Sequence, residues 1–294
     1  MNIPVCFLVI NSIRDLPEIA ISSVLAQTSA DIKVGYLREA DIKSLPKNSR
    51  IELIDLGPLI DDSEREISVP GDTYIPYDRE DFFDLVRIKW KLFSKILQEH
   101  DGLIYSDVDV IWLQDLHRII RKTFEDESNI EVLVQDASTL PNRAQLCMGL
   151  FACRTSNFSL ELITECDALH HAGRTRRERY SDDNAITDFY SAMSDKSKVG
   201  KLPQASFPVG NFLNLFLPVS LFRGLRPPKP FIFHANYVVG VPKKVALIRF
   251  IQFNYNVNIR NLLLFLRSYT IALGFFLLKV GTLIRRNQQI KKKS

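Results

Sequence analysis

The sequence predicts an α/β protein whose mainly parallel β-sheet is flanked by helices. Short apolar runs of the kind found in buried strands alternate with segments whose apolar residues recur at helical intervals, and this alternation is typical of parallel sheets covered by helices. Hydrophobic residues occupy 46% of the 294 positions, which is sufficient for a full core.

The first 105 residues supply four of the six predicted strands. Residues 57–80 are acidic and rich in turn formers, which predicts a loop over one end of the sheet. The strongest helical pattern follows at 81–99 and leads through a glycine turn into a short buried strand at 103–105. The elements predicted before that loop are strands at 3–10, 32–37 and 51–56 and a helix at 16–27.

The rest of the chain continues the pattern without an internal repeat. Residues 203–233 are rich in proline and phenylalanine, which predicts irregular structure. The remaining predicted elements are helices near 115–124, 157–170 and 182–193 and strands at 130–135 and 147–153.

The amino terminus and the cysteines both indicate a cytoplasmic location. The run MNIPVCFLVI lacks the preceding basic residues of a signal peptide, and its apolar stretch is short, so we interpret it as the first strand. The four cysteines include no CxxC pair and no zinc-finger spacing, which favours reduced, structural thiols over disulfides.

Charge is distributed unevenly along the chain. From Lys196 to Ser294 there are seventeen lysines and arginines and no acidic residue, whereas the preceding part holds 21 basic and 34 acidic residues. The two parts therefore carry +17 and −13. This asymmetry indicates an acidic partner for the last third, either anionic lipid or nucleic acid.

Two aspartates, Asp107 and Asp109, come directly after the short strand at 103–105. On an extended chain residues i and i+2 point the same way, so both carboxylates can face one ligand. Ligands of open α/β sheets bind beyond the carboxyl ends of the strands, and two hard oxygen ligands suit Mg²⁺ or Mn²⁺. An isolated pair of this kind is more often a turn cap beside a solvated carboxylate, and the position after a buried strand favours the metal site.

Four motifs occur in a fixed order between residues 91 and 244. They are KLFSKILQEHDGLIYSDVDVIWLQD at 91–115, MGLFACRTSNFSLELI at 148–163, SDDNAITDFY at 181–190 and FHANYVVGVPKK at 233–244. In this order they resemble the nucleotide-diphospho-sugar transferase family of GT-A glycosyltransferases, and in particular its retaining GT77-like group. The departures are Asn184, where the family commonly has glutamine, and the pair Cys147-Met148 before Gly149.

The resemblance implies a GT-A (Rossmann-like) fold, a metal-dependent complex with the donor and, in related plant and algal members, retention of anomeric configuration. It assigns Asp107 to the metal and the donor ribose, Asp109 to direct metal ligation and His234 to a third ligand position. A lone histidine is more often structural, but the HANYVVG string favours a ligand here. A cation such as Mn²⁺ or Mg²⁺ neutralises the charge that develops on a departing nucleoside diphosphate.

Several other side chains are candidates for donor binding. Lys243 or Lys244 could meet the diphosphate as a point charge. Arg87 and Lys89 precede the aspartates on the predicted helix, and one of them is expected to reach the donor phosphates while the other is a solvent-exposed charge. Asn11, at the end of the first strand, is a candidate for contact with the nucleotide base.

Asp183 is the candidate catalytic carboxylate beside the donor sugar, together with Asp109 at the metal. Its expected role is to orient sugar hydroxyls or to stabilise the cationic anomeric carbon. The alternative is an N-cap for the helix at 182–193, since aspartate favours that position, and both roles can hold together.

After a transferase domain at 1–244, residues 245–294 are predicted to form an amphipathic, basic helical tail. The window 261–284 is long enough to span a bilayer but contains Arg267 and Lys279, which favours a helix lying in the membrane interface. The basic end suits anionic cytoplasmic lipid. The alternative is a helical cap on the catalytic domain, while nucleic-acid binding leaves the large aliphatic surface unexplained.

These features predict a metal-dependent glycosyltransferase, peripheral on the cytoplasmic face of a membrane. It moves a sugar from a nucleoside-diphosphate sugar, with uridine favoured by the resemblance, to a saccharide, lipid-linked or protein acceptor. Two other interpretations stay open: a soluble protein glycosyltransferase whose tail packs on itself or on a partner, and a non-catalytic nucleotide-sugar-binding or membrane-scaffold protein. The presence of both aspartates and His234 argues against the last.

Overall fold

The computed structural model describes residues 1–10, 15–60, 80–138, 144–176, 179–209, 230–236 and 241–256, and these contain two sheets covered by helices. The strands are β1 (Val5–Val9), β2 (Ile32–Tyr36), β3 (Ile51–Asp55), β4 (Gly102–Ser106), β5 (Val110–Trp112), β6 (Val132–Asp136), β7 (Leu146–Arg154), β8 (Val199–Leu202) and β9 (Ile232–His234). The helices are α1 (Leu16–Gln27), α2 (Glu80–Glu99), α3 (Leu116–Asp126), α4 (Asn157–Thr175), α5 (Asp182–Ala192) and α6 (Val241–Asn256).

The larger sheet has seven strands in the order β3-β2-β1-β4-β7-β6-β8. Every neighbouring pair is parallel except the two that involve β7, so the prediction of a mainly parallel sheet is confirmed. The chain moves outwards from β1 to β3 and then places β4 on the other side of β1. In open α/β sheets such a reversal opens a crevice at the carboxyl ends of the two strands, and ligands bind there.

Helices cover both faces of this sheet. On one face α2, α4 and α5 pack over a core that includes Trp90, Phe93 and Phe151, and the rings of the two phenylalanines stack with centroids 5.3 Å apart. On the other face α1 and α3 contribute Ile21 and Phe124 to a second core. Each helix presents its apolar stripe to the sheet, as the helical spacing of its apolar residues predicted.

The sequence-based boundaries hold closely for some elements, while other elements were missed. Helix α1 spans the predicted residues 16–27, whereas β5, β8 and β9 lie where no strand was predicted. Strand β9 exists because it pairs antiparallel with β5 in a small second sheet, with His234 opposite Val110. A three-residue strand whose partner is more than a hundred positions away leaves no periodic pattern in the sequence.

The four cysteines are buried free thiols, as the sequence predicted. Burial raises the pKa of each, so all four stay neutral and act as small apolar side chains. They are Cys6, Cys147, Cys153 and Cys166.

Helix α6 runs without a break across the predicted domain boundary at 244/245. Its residues Val245, Ile248 and Ile251 are buried against Ile111 and Phe233 of the small sheet. The first part of the predicted tail is therefore a helical cap on the domain, the alternative weighed above, while the window 261–284 lies outside the described residues. None of the helices in the described part of the chain combines the length and hydrophobicity that a bilayer span requires.

Candidate functional site

The two carboxylates after β4 converge through a turn. The backbone N–H of Val110 donates to the carbonyl of Asp107 (3.0 Å), and the N–H of Asp107 donates to the carbonyl of Gly149 on β7 (2.8 Å). The expectation that Asp107 and Asp109 lie on an extended chain was therefore wrong, because the chain turns immediately after Ser106. The site still forms at the carboxyl end of β4, beside the reversal in strand order.

His234 reaches this turn from the far end of the domain. It lies opposite Val110 in the β5–β9 pair, and the N–H of the next residue, Ala235, donates to the carbonyl of Asp109 (2.9 Å). One ligand atom from each of Asp107, Asp109 and His234 lies within 4.8 Å of the other two. The structure thus brings together the three side chains that the sequence analysis assigned to the metal.

The imidazole of His234 is enclosed on several sides. Its Nε2 lies 3.2 Å from Oδ1 of Asp109, and its Nδ1 lies 2.9 Å from Oε1 of Gln135. Gly149 leaves the space that the ring fills, since a Cβ atom there would lie 2.0 Å from Cε1 of the ring. Gln135 was not identified from the sequence, although an amide in the apolar stretch VLVQ was a visible signal.

Lys244 is the second cationic partner of Asp109. Its Nζ donates to Oδ2 of Asp109, whereas Lys243 is exposed on the first turn of α6. Burial by itself would raise the pKa of Asp109, but Lys244 and His234 outweigh it and hold that pKa well below its ordinary value. Of the two adjacent lysines proposed from the sequence, Lys244 is the one that the structure places at the site.

Lys89 neutralises the other aspartate from helix α2. Its Nζ is buried, lies 3.3 Å from Oδ1 of Asp107 and 2.5 Å from Oδ2 of Asp182, and sits over the ring of Tyr105. The Tyr105 hydroxyl donates to Oδ1 of Asp107 (2.6 Å). Burial would lower the pKa of Lys89, but Asp107 and Asp182 outweigh it and raise that pKa well above its ordinary value. Lys89 is therefore a fixed cation beside the site.

Arg87 does not share this position. Its guanidinium donates to the carboxylate of Asp167 on α4, with Nε 2.7 Å from Oδ1. Residues i and i+2 of an α-helix are separated by about 200° around its axis, so Arg87 and Lys89 face opposite sides of α2. The assignment of Arg87 to the donor phosphates is therefore corrected, because its described ion pair lies between α2 and α4.

Asp183 lies in the first turn of α5, but it is not the N-cap. Ser181 caps the helix, with Asn184 completing the capping box, so the cap alternative for Asp183 is wrong. The half-buried carboxylate of Asp183 accepts a hydrogen bond from the backbone N–H of Met148 (2.6 Å). Burial and the neighbouring charge of Asp182 raise its pKa to about 7. Asn11, the remaining candidate, lies outside the described residues.

Comparison with known proteins places this arrangement in a family. Residues 70–248, more than half of the chain, match the nucleotide-diphospho-sugar transferase family. The chain is 23% identical over 188 residues to the UDP-D-xylose:L-fucose alpha-1,3-D-xylosyltransferase MGP4 of Arabidopsis thaliana. That match covers 60% of this chain and 51% of MGP4, so the chain spans about half the length of this relative.

Two solved glycosyltransferases share the fold. The galactosyltransferase LgtC, solved with donor and acceptor sugar analogues, gives a TM-score of 0.57 at 13% identity over 84% of this chain and 95% of LgtC. Mouse xyloside xylosyltransferase 1, in its apo form, gives a TM-score of 0.52 at 10% identity over 81% of this chain and 98% of the mouse chain. These likenesses show a GT-A-like fold. Together with the family match, they confirm the resemblance seen in the sequence: the chain belongs to the nucleotide-diphospho-sugar transferase family of glycosyltransferases.

Proposed function

We propose that this glycosyltransferase takes its sugar from a uridine-diphosphate sugar and requires Mn²⁺ or Mg²⁺ held by Asp107, Asp109 and His234. The observation that carries the proposal is the convergence of three ligand atoms within 4.8 Å of one another at the carboxyl end of β4. These side chains come from positions up to 127 residues apart in the sequence, and only the folded chain brings them together.

The donor set fits a hard divalent cation. Two carboxylates and one imidazole leave coordination positions for diphosphate oxygens and water, which Mg²⁺ and Mn²⁺ commonly retain. Nε2 of His234 faces Oδ1 of Asp109 at 3.2 Å, and a cation between two such acceptors satisfies both. When bound, the cation supplies charge neutralisation for the departing nucleoside diphosphate.

The lysines of the site have separate roles in this proposal. Lys244 approaches from the first turn of α6 and pairs with the carboxylate of Asp109, which places an ammonium beside the expected diphosphate position. Lys89 is buried between Asp107 and Asp182 and holds the Asp107 carboxylate in place. An incoming diphosphate is therefore met by Lys244, while Lys89 acts through Asp107.

Asp183 is proposed as the carboxylate beside the donor sugar. Two observations support this role: the Met148 N–H, next to Gly149 in the chain, donates to its carboxylate (2.6 Å), and the charge of Asp107 contributes to its raised pKa. A carboxyl group with a pKa of about 7 can accept or donate a hydrogen bond to a sugar hydroxyl near neutral pH.

The names of the relatives suggest which donors to test first. MGP4 is named for UDP-D-xylose as donor and L-fucose as acceptor, and LgtC is a galactosyltransferase. We therefore propose UDP-xylose and UDP-galactose as the leading candidates for the donor and a saccharide, free or carried by lipid or protein, as the acceptor.

We further propose that the protein acts at the cytoplasmic face of a membrane, bound by residues 257–294. This segment contains the apolar stretches LLLFL and IALGFFLL and ends in the basic sequence KKKS. Apolar area combined with clustered lysine and arginine is the composition that binds anionic lipid surfaces.

The proposed function is tested by nucleoside-diphosphate release from a panel of UDP- and GDP-sugars, with Mn²⁺ and with EDTA. The protein and its Asp109→Asn variant, which keeps the side-chain volume, are compared. We expect release from one UDP-sugar that requires the metal and falls at least a hundredfold in the variant. Absence of both release and binding for every donor would favour the non-catalytic scaffold instead.

A further inference from the structure

Gln135 carries a buried amide whose orientation is fixed by its neighbours. The residue lies on β6 with no exposed surface, directly after the register shift at Val134. Its Nε2 lies 2.9 Å from the backbone carbonyl of Phe207. A carbonyl oxygen only accepts hydrogen bonds, so the NH₂ end of the amide must face Phe207 and the oxygen must face the other way.

The other end of this amide meets His234. Oε1 of Gln135 lies 2.9 Å from Nδ1 of the imidazole, and because Oε1 only accepts, Nδ1 must carry the proton. In the neutral ring the lone pair then lies on Nε2, the nitrogen that faces Asp109 at 3.2 Å. Turning the amide over would place two acceptors, Oε1 and the carbonyl of Phe207, against each other.

The remaining neighbour of Nδ1 does not oppose this assignment. Sγ of Cys147 lies 3.8 Å from Nδ1 and itself receives a hydrogen bond from Nδ2 of Asn236 (3.7 Å). Sulfur is a weak partner compared with an amide oxygen at 2.9 Å. The two hydrogen bonds that link Phe207, Gln135 and His234 are therefore the dominant constraint on the protonation of the imidazole.

We propose that Gln135 is a positioning residue that selects the Nδ1-protonated form of His234 and aims its Nε2 at the cation. The inference rests on the proposed metal site and adds to it the residue that sets its histidine. Outer hydrogen bonds of this kind commonly change metal affinity by about 10–100-fold.

The test measures Mn²⁺ binding directly, by the EPR signal of free Mn²⁺, with metal alone and with metal plus UDP. We expect Gln135→Met to weaken Mn²⁺ binding about 10–100-fold. Gln135→Glu keeps an acceptor for Nδ1–H but loses the donor to the Phe207 carbonyl, so its Mn²⁺ affinity should lie between those of Gln135→Met and the unaltered protein. Gln114→Met is the matched control, because Gln114 also donates to a backbone carbonyl, that of Pro230 (3.1 Å), on the β5 side of the domain.

The inference would be overturned if a folded Gln135→Met variant bound Mn²⁺ as tightly as the unaltered protein. It would also be overturned if the Gln114→Met control lost as much Mn²⁺ affinity as Gln135→Met. If the unaltered protein binds no Mn²⁺ under either condition, the proposed metal site itself fails. Should Gln135→Met not fold, ¹⁵N NMR of the histidine rings in the unaltered, metal-free protein decides. Neutral His234 protonated on Nδ1 supports the inference, and protonation on Nε2 overturns it.

Discussion

Gly149 lies directly against the imidazole of His234, and a methyl group on Gly149 would come within 2.0 Å of Cε1 and 2.7 Å of Nε2. The sequence analysis noted Gly149 only as part of a motif. The structure gives the physical reason for a glycine here: the third proposed metal ligand occupies the space that any side chain at position 149 would fill.

We therefore expect Gly149→Ala to displace the imidazole and to reduce metal-dependent donor turnover at least a hundredfold. Mn²⁺ affinity should fall with it, because the ring can no longer place Nε2 beside Asp109. Gly57→Ala is the control, since the nearest described atom to a Cβ there is Oδ1 of the exposed Asp55 side chain, at 3.0 Å. A Gly149→Ala protein with normal Mn²⁺ affinity would show that His234 is not a ligand.

The two adjacent lysines provide a second prediction with opposite effects on two measurements. Lys244 pairs with Asp109 and competes with a cation for that carboxylate, so Lys244→Met should leave Mn²⁺ affinity equal or higher in the absence of nucleotide. Donor turnover should nevertheless fall at least tenfold, because the diphosphate loses its point charge. Lys243→Met, at an exposed position, should change neither quantity. The reverse pattern would assign the phosphate contact to Lys243.

The sequence was most informative where chemistry follows a short motif. Asp107, Asp109 and His234 were identified because two motifs carry them, although the turn that joins the aspartates was taken for an extended strand. Gln135 was missed because its partner His234 lies 99 positions away, and the contact of Asp182 with Lys89 spans 93. No local pattern encodes such contacts.

The correction at Arg87 has a different origin. Arg87 and Lys89 were proposed as alternatives for one role, and helical geometry alone separates them by about 200°. Their surroundings decide between them. The side chain of Lys89 is buried at the site, with 3% of its surface exposed, whereas Arg87 forms an ion pair with Asp167 between two helices. The helix was predicted well, but which of its faces meets the site depends on the docking of α4 and α5.

Asp183 gives a prediction for the pH dependence of stability. Its pKa is about 7 in the folded chain against an ordinary 3.8, so the folded state retains a proton that the unfolded state has lost. The contribution of Asp183 to the free energy of unfolding should therefore fall as pH rises from about 4 to about 7, with a slope of at most about 1.4 kcal/mol per pH unit.

Urea unfolding of the protein and of Asp183→Asn between pH 4 and pH 8 measures this contribution. Asparagine keeps an oxygen for the Met148 N–H but cannot ionise, so the variant should gain stability relative to the unaltered protein up to about pH 7 and then level off. A constant difference across the range would mean that Asp183 titrates normally. Activity assays on the same variant should show a loss if Asp183 is, as proposed, the carboxylate beside the sugar.

The tail yields the last prediction, and α6 determines how it must be tested. Removal of 245–294 would take away Val245, Ile248 and Ile251, which are buried against the small sheet that carries His234. That truncation should therefore unfold or inactivate the domain. Removal of 257–294 leaves α6 whole and should preserve both the unfolding midpoint and donor turnover.

Binding to vesicles then isolates the membrane proposal. The full chain should float with vesicles that contain phosphatidylserine and bind less at high salt, because its basic segment is screened. The chain that ends at residue 256 should remain unbound. If it floats as strongly as the full chain, the membrane contact lies on the transferase domain and the proposal for residues 257–294 fails.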